Sequence, residues 1–577
     1  MNNLGSPAEE ASRIALEEVF ACIQAGRSFR LEAGAGAGKT YSLVEALKYL
    51  TKRHERDFSR RGQQIACITF TNVAKDEIEA RTDRHPIIYC NTNHAFCWLL
   101  IGGFQKQLKA LVQQMPSWQD KLLEAGGIGN RGVEYSLGHR GVREHVLSLH
   151  HDDVIPLTIS LMENQKFRKI MADRFPIILI DEYQDTDKAW VEALKLRFLG
   201  QPNSPLFGFF GDHWQKIYGN GCGELNDDAV TPIGKKANFR SVNAIVECLN
   251  RMRPELPQFV RDPAEPGRVR IFHTNGWGGE RQGGQHWGGD LPSNVAHQAL
   301  EATKAKMVAD GWDLAPSQTK ILMLTHRVLA SEQGYSNLAQ AFQYNDSYLK
   351  KENRLIAFLV DVLEPATDAY AGKRYGAMFE ALGGTVPVLK RQADKAAWTA
   401  SFDKLMTLRN NGSVGDVVDH LMASQRPRLP DRVEELQHEL AAFDVDGGVD
   451  MPRPLAELQK LRPVAYAEIK ALRRYLDGHS PFETKHGVKG AEFENVLVVL
   501  GRGWNQYNFG EMLELAGGAA VPANKLAAFE RNRNLFYVAC SRPKRRLTLL
   551  FTQEISPGGL AKLQQWFGAD SIEELAL

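Results

Sequence analysis

The chain has 577 residues, 43% hydrophobic and 24% charged, with 70 Lys and Arg set against 69 Asp and Glu. That length predicts roughly three to five domains, and the composition excludes a disordered or low-complexity protein. No leader opens at Met1 and no apolar run reaches ~18 residues, so the expectation is a cytoplasmic protein with no membrane partner; its balanced charge is silent on nucleic acid.

From the amino end, the spacing of Ile14, Ala15, Val19, Phe20 and Ile23 predicts a helix over Pro7 to Gln24. Ser28 to Glu32 reads as a short strand, a glycine-rich loop follows, and Thr40 to Leu50 reads as a helix. Gln64 to Phe70 is a predicted strand and Val73 to Arg81 a predicted helix. This rhythm implies a largely parallel sheet covered on both faces. Residues 99–165 interrupt it with mixed helical and turn-rich sequence around Gly126, Gly127, Gly129 and Gly132. Pro176 to Ile180 and Leu206 to Phe210 then read as buried central strands. The glycine-crowded stretch Asn275 to Asp290, with Trp277 and Trp287, reads as an exposed loop. Strands return at Lys320 to Thr325 and Asn495 to Val499. Between them, 346–478 is helix-dominated, with predicted helices over Asn353 to Val362, Arg432 to Phe443 and Leu455 to Gly478. The seven cysteines form no CxxC pair, which argues for reduced thiols and against a zinc site.

Two segments carry chemistry. AGAGAGKT, Ala33 to Thr40, follows a strand and opens a helix. The small residues Ala33, Gly34, Ala35, Gly36, Ala37 and Gly38 let backbone N–H groups curl around phosphate oxygens, and the helix N-terminus adds a favourable dipole. Lys39 is suited to reach the β- and γ-phosphates of ATP, and the Thr40 hydroxyl to bind Mg²⁺. Ala33 stands where the strict phosphate-loop pattern has its first Gly. The second segment is IILIDEYQDT, Ile177 to Thr186. An apolar strand ending in Asp-Glu delivers two carboxylates to the carboxyl edge of a sheet, where open α/β folds bind ligands. Asp181 is suited to Mg²⁺, and Glu182 to accept a proton from the water attacking the γ-phosphate.

Together these segments resemble the UvrD/Rep family of superfamily 1 helicases, and the family's further motifs follow in order. ITFTN, Ile68 to Asn72, is similar to the strand end that touches single-stranded DNA, which implies DNA contacts from Phe70, Thr71 and Asn72. TNHAFC, Thr92 to Cys97, resembles the next DNA-contacting element and implies one from His94. GDHWQKIYG, Gly211 to Gly219, implies Gln215 as the γ-phosphate sensor, with Tyr218 as a base-stacking surface. NFRS, Asn238 to Ser241, implies Phe239 on the adenine and Arg240 on the γ-phosphate. TKHGVKGAEFENV, Thr484 to Val496, implies Glu492 on the ribose and His486 near DNA. YVACSRPKRRL, Tyr537 to Leu547, implies Arg542 as the arginine finger. The resemblance covers about half the chain and implies an α/β fold of two RecA-like parallel-sheet cores, each interrupted by a mainly helical insertion. In that layout the first core takes residues 1–98 and 166–237 with an insertion at 99–165, and the second takes 238–345 and 479–577 with an insertion at 346–478. Arg240 and Arg542 lie far from Lys39 in sequence, so they reach the γ-phosphate when two cores face each other.

Three features depart from the family. The adenine-reading Gln expected some twenty residues before Lys39 is replaced by Arg13 to Glu18, and Gln24 falls too close to the loop. The Trp expected after Ile217-Tyr218 gives way to Asn220-Gly221-Cys222-Gly223, while Trp214 precedes Gln215. Both insertions are short. His150 to Asp153 reads as a solvated helix start rather than a metal site, and Lys544 to Arg546 as a basic run that either grips phosphates or is merely solvated. The 35 residues after Arg542 are too few for a fused nuclease. The expected activity is a 3′ to 5′ DNA translocase or helicase acting on single-stranded DNA and duplex junctions. The alternative is a DNA-gated ATPase beside an OLD-type nuclease, in anti-phage defence of the Gabija type.

Overall fold

A computed structural model describes residues 5–577 apart from 136–139, 218, 285–287, 324–325, 384–388, 390, 444–449, 478–481, 484–491, 503–506 and 519, and apart from the side chains of 326–329 and 482–483. The chain divides into two compact units. The first comprises Met1–Arg270, Phe509–Leu547 and Ser556–Ile572, and the second Ile271–Asn508, Thr548–Ile555 and Glu573–Leu577. The fold is α/β, on two six-stranded sheets of the RecA-like kind.

The first sheet and its satellites supply strands β1 (Phe29–Ala33), β2 (Ile65–Thr69), β3 (Ile88–Thr92), β4 (Gly132–Tyr135), β5 (Gly141–Val142), β6 (Val146–Leu149), β7 (Ile177–Asp181), β8 (Leu206–Gly211), β9 (Thr231–Lys235), β10 (Ala237–Asn238) and β11 (Phe259–Val260). Helices here are α1 (Pro7–Gln24), α2 (Lys39–Arg61), α3 (Asn72–Arg81), α4 (Asn93–Ile101), α5 (Gln105–Val112), α6 (Pro116–Glu124), α7 (His151–Leu161), α8 (Gln165–Arg174), α9 (Lys188–Arg197) and α10 (Asn243–Met252). The sheet runs β3-β2-β7-β8-β1-β9, every pair parallel. Parallel strands need cover on both faces, and alternation along each strand supplies it. Ala66, Ile68, Ile178, Ile180, Phe207 and Phe209 pack with α4, α5, α7 and α9. Ile65, Cys67, Leu179, Phe29, Leu31 and Phe210 pack with α1 and α2 on the other face. Each fully buried Ile, Leu or Phe contributes roughly 1.5–3 kcal/mol. The register of the edge strand β9 sets Lys235 beside Ala33 at the end of β1.

Local chemistry explains the boundaries. Ser6 and Glu9 form a capping box at the start of α1, with Pro7 in the first turn. The second helix runs to Arg61, well past the expected Leu50, until Gly62 ends it in the left-handed region at φ +66°. The segment 99–165 is less purely helical than expected, since β4, β5 and β6 form a small sheet of their own in the order β4-β6-β5.

The second sheet contains β12 (Arg268–His273), β13 (Thr319–Met323), β14 (Phe482–Glu483), β15 (Phe493–Leu500), β16 (Pro543–Phe551) and β17 (Ile572–Glu574), in the order β14-β13-β15-β16-β12-β17. The basic run Lys544 to Arg546 therefore lies inside a strand, with Arg545 paired to Glu265 at 3.1 Å. Trp277 is half-buried against the core of this unit, a correction to the exposed-loop reading, while Trp287 falls outside the described residues. Among the helices of 346–477, the expected single helix over Leu455 to Gly478 is two, Arg453–Leu461 and Ala467–Leu476. Pro463 separates them because a proline ring cannot continue the helical hydrogen-bond ladder. That helical layer has its own apolar core, from Leu355 and Ile356 to Leu472. A buried ion pair of Arg409 with Glu364, at 2.6 Å, crosses it. Among the described residues no helix is long and apolar enough to cross a membrane, and all seven cysteines are free thiols.

Candidate active site

The carboxyl ends of β1, β7 and β8 lie side by side, and the first unit builds its site there. After Ala33 the chain turns through Gly36 at φ +74° and Gly38 at φ +73°, a left-handed geometry that favours glycine. The loop is also packed too closely for larger residues. A Cβ on Gly36 would stand 2.7 Å from both Arg240 Cβ and Asn238 Oδ1, and one on Gly34 2.7 Å from Gln258 Nε2. The loop is braced by backbone contacts. Phe239 N donates to Gly36 O at 2.8 Å, and Asn238 Nδ2 and Gln258 Nε2 donate to Ala35 O at 3.1 and 3.2 Å. The loop's N–H groups and the start of α2 thus form a rigid cradle of the kind that binds phosphate.

The charged groups converge beside it. Lys39 Nζ lies 3.1 Å from Glu182 Oε2. Glu182 holds φ +48°, an uncommon conformation for a non-glycine residue that other contacts must enforce. Gln184 Nε2 donates to Glu182 at 2.5 Å and to Asp185 at 3.1 Å, and its Oε1 accepts from Asp212 N at 3.0 Å. Asp181, at the end of β7, is buried. Gln215 Nε2 donates to Asp212 Oδ2 at 2.7 Å, and Gln215 Oε1 accepts from Arg542 Nη2 at 3.4 Å. Arg542 is 1% exposed, and burial, then the like charge of Arg240, pushes its guanidinium down to about 9 against the pull of Glu182. Arg240 Nη1 donates to Ser541 O at 3.1 Å. Arg542 thus lies within the electrostatic reach of Arg240, Glu182 and Asp212. The residues expected from Ala33 to Thr40, with Asp181, Glu182, Gln215, Phe239, Arg240 and Arg542, all belong to the first unit. Glu492 is exposed just before β15, in the second.

Sequence reasoning missed several participants. Lys235, at the end of β9, is fully buried and donates to Gly38 O at 3.1 Å and Ser42 Oγ at 2.8 Å, and burial pulls its ammonium down to about 8. Tyr41 and Phe239, both exposed, hold their rings 5.6 and 6.0 Å from that ammonium. Glu32 and Arg253 are buried as well. In the strand Phe29–Ala33, Arg30 and Glu32 alternate with apolar residues, so the pattern gives no sign that Glu32 is buried. The departures resolve too. Gln24 Nε2 donates to Tyr49 Oη at 2.6 Å. Trp214 does not replace the missing stacking surface, because it is 7% exposed, with Arg533 4.1 Å and Arg253 5.4 Å from its ring.

Among the described residues, the expected DNA contacts Phe70, Thr71, Asn72 and His94 lie at the carboxyl ends of β2 and β3. Thr69 of β2 is in register with Thr92 of β3, so Phe70 and His94 leave neighbouring strands at the same end. Phe70 is exposed. Thr71 caps α3 by accepting from Ala74 N at 3.2 Å, and Asn72 opens that helix. His94 stacks on His151, ring centroids 3.3 Å apart. Tyr218 and His486 lie outside the described residues. The start of α7 is not simply solvated as expected. Asp153 is fully buried, paired with Arg140 at 2.8 Å and accepting from Trp118 Nε1 at 3.1 Å.

Burial, then the neighbouring His151, pushes His94 down to about 4 against the pull of Asp152. An unfolded chain titrates this group near 6.5 and so binds the extra proton between those values; the stabilisation is complete above pH ~6.5 and lost as pH falls towards 4. The melting temperature of the wild type is expected to fall more steeply than that of His94→Gln between about pH 7 and 5. Equal slopes would remove His94 as a cause.

Residues 17–220 match an AAA domain family. The Gabija protein GajB of Bacillus cereus (strain HuB5-5) is 22% identical, with 94% of this chain and 95% of that protein covered. The ATP-dependent DNA helicase Rep of Escherichia coli (strain K12) is 25% identical over 43% of each chain. The ATP-dependent DNA helicase PcrA of Staphylococcus aureus (strain NCTC 8325 / PS 47) is 25% identical over 38% of this chain and 37% of that protein. These matches bear out the UvrD/Rep-like resemblance carried by the motifs, and the Gabija likeness runs nearly the full length.

Proposed function

We propose that this UvrD/Rep-like superfamily 1 chain is an ATP-driven DNA translocase that moves 3′ to 5′ along a single strand and acts as a helicase at duplex junctions. In this reading the motor consists of a first core (1–98, 166–237) and a second (238–345, 479–577), with insertions at 99–165 and 346–478. The single observation that carries it is the gathering of Lys39, Glu182, Gln215, Arg240 and Arg542 around a braced phosphate loop.

The chemistry follows from the residues. Backbone N–H groups of Gly34 to Thr40 and the Lys39 ammonium bind the phosphates of ATP, with Phe239 against the adenine and Glu492 on the ribose. Thr40 and Asp181 offer hard oxygen donors that suit Mg²⁺, which when bound neutralises phosphate charge. Glu182 positions the attacking water and takes its proton, Gln215 senses the γ-phosphate, and Arg240 and Arg542 stabilise charge on the transferring group. Phe70, Thr71, Asn72, His94, Tyr218 and His486 contact DNA, with stacking on Phe70 and Tyr218 worth about 1–3 kcal/mol per base. Such stacking is indifferent to base identity, as a moving motor requires.

The experiment is ATP hydrolysis with and without single-stranded DNA, beside unwinding of 3′-tailed and 5′-tailed duplexes. DNA-stimulated hydrolysis with unwinding of the 3′-tailed duplex alone is the expected result; hydrolysis indifferent to DNA would sink the motor reading. The near full-length likeness to a Gabija protein favours a second reading, an ATPase gated by DNA within an anti-phage complex that includes an OLD-type nuclease. Stimulated hydrolysis without unwinding by the lone chain, with unwinding or cleavage restored by such a nuclease, would select it.

A further inference from the structure

Behind the phosphate loop lies a buried charge cluster that none of the motif roles uses. Arg253 ends α10 as its C-cap residue and is 2% exposed. Its guanidinium forks across two strand ends. Nη1 lies 2.6 Å from Asp212 Oδ1, just past β8, and Nη2 lies 3.1 Å from Glu32 Oε1, in β1. Both carboxylates are engaged further. Glu32 accepts from Tyr183 Oη at 2.7 Å and from His213 N at 3.0 Å, and its Oε1 lies 2.6 Å from His213 Nδ1. Asp212 accepts from Trp214 N at 3.1 Å through the oxygen that faces Arg253, and from Gln215 Nε2 at 2.7 Å through the other. Burial opposes the Arg253 charge, but Asp212 and Glu32 are among the groups that outweigh it, so the guanidinium is held charged.

Glu32, Asp212 and His213 present ligand atoms within 4.8 Å of one another, the spacing of a cation site. The guanidinium already supplies that cation, with two hydrogen-bonding arms set by a rigid plane. A lysine ammonium has no such fork and cannot hold both carboxylates in the same geometry.

We propose that Arg253 is a positioning residue for phosphoryl transfer: it fixes Asp212 against the end of β1, and Asp212 in turn fixes the Gln215 carboxamide beside Arg542. The inference rests on the nucleotide-site reading and extends it to a side chain outside every motif. Gln215 has one carboxamide and two partners here, Asp212 on its nitrogen and Arg542 on its oxygen, so the orientation of that amide depends on Asp212 staying in place. Arg253 touches neither nucleotide nor water in this scheme, and its effect passes wholly through Gln215.

A double-mutant cycle in the full-length chain tests this, with steady-state ATP hydrolysis in saturating single-stranded DNA as the readout. Arg253→Lys is expected to lower kcat about tenfold with KM for ATP changed less than about twofold, the mark of an interaction lost in the transition state. In a Gln215→Ala background the same substitution is expected to cause no further loss, because the residue it acts through is gone. An equal drop in both backgrounds, or a wild-type kcat for Arg253→Lys, overturns the proposal, since a merely structural role would scale both. If Arg253→Lys fails to fold, Asp212→Asn, which keeps the shape and removes the shared charge, takes its place with the same expectation. A wild type that shows no ATP turnover at all rejects the nucleotide-site reading, and the proposal with it; turnover abolished by Lys39→Ala together with an additive cycle rejects the proposal alone.

Discussion

Glu182→Gln is expected to cut ATP turnover by about 10²–10⁴-fold while leaving ATP binding intact. The carboxylate sits 3.1 Å from Lys39 and 2.5 Å from Gln184, and an amide of the same shape keeps hydrogen-bonding capacity towards both. What it loses is the ability to take a proton from water. Binding of a fluorescent ATP analogue should therefore stay within a few-fold of wild type, whereas Lys39→Ala, which removes the cation proposed to bind phosphate, should weaken it as well. Normal hydrolysis by Glu182→Gln would overturn the assignment of the base. The contacts with Lys39 and Gln184 hold the Glu182 side chain while its backbone sits in the left-handed region.

The second large effect is expected at Arg542. Removing an arginine finger costs about 10³–10⁵ in rate, and Arg542→Ala should show that loss in kcat. Folding should survive. The wild-type guanidinium is fully buried, pushed down to about 9 by burial and by Arg240, so its removal also relieves a like-charge contact rather than only deleting a favourable one. Arg542 also donates through Nε to Val538 O at 3.0 Å within its own turn, a contact whose loss strands no second charge. Melting temperature and single-turnover hydrolysis measured on the same preparation separate the two consequences. A kcat within tenfold of wild type would show that Arg542 does not reach the transferring phosphate.

Much of this site was legible because its chemistry is local. A phosphate loop must follow a strand and open a helix, so Ala33 to Thr40 could be placed from spacing alone. The carboxylates of Asp181 and Glu182 had to emerge at a sheet edge because the run before them is uniformly apolar. The helix over Pro7 to Gln24 was likewise readable, since capping box and apolar stripe lie within its own residues. Helix ends were less so: nothing between Leu50 and Arg61 marks an end before Gly62.

What composition and periodicity could not supply were partnerships between distant residues. Asp153 reads as a solvated acid until Arg140 and Trp118 are brought onto it. The position of Trp214 in the sequence gives no sign that helix Leu526–Cys540 and Arg253 enclose it. Lys235, Glu32 and Arg253 look like ordinary surface charges in a string of letters, and each is buried because β9, β1 and α10 end at one place. The amino-acid sequence by itself determined the α/β class, the strand–loop–helix around Ala33 to Thr40 and the order of the motifs, because each depends on residues within a few positions of one another. Only the tertiary structure decided which charges are withdrawn from water and what neutralises them. Burial and pairing are properties of neighbours in space, and the cost of an unpaired buried charge is what holds those neighbours together.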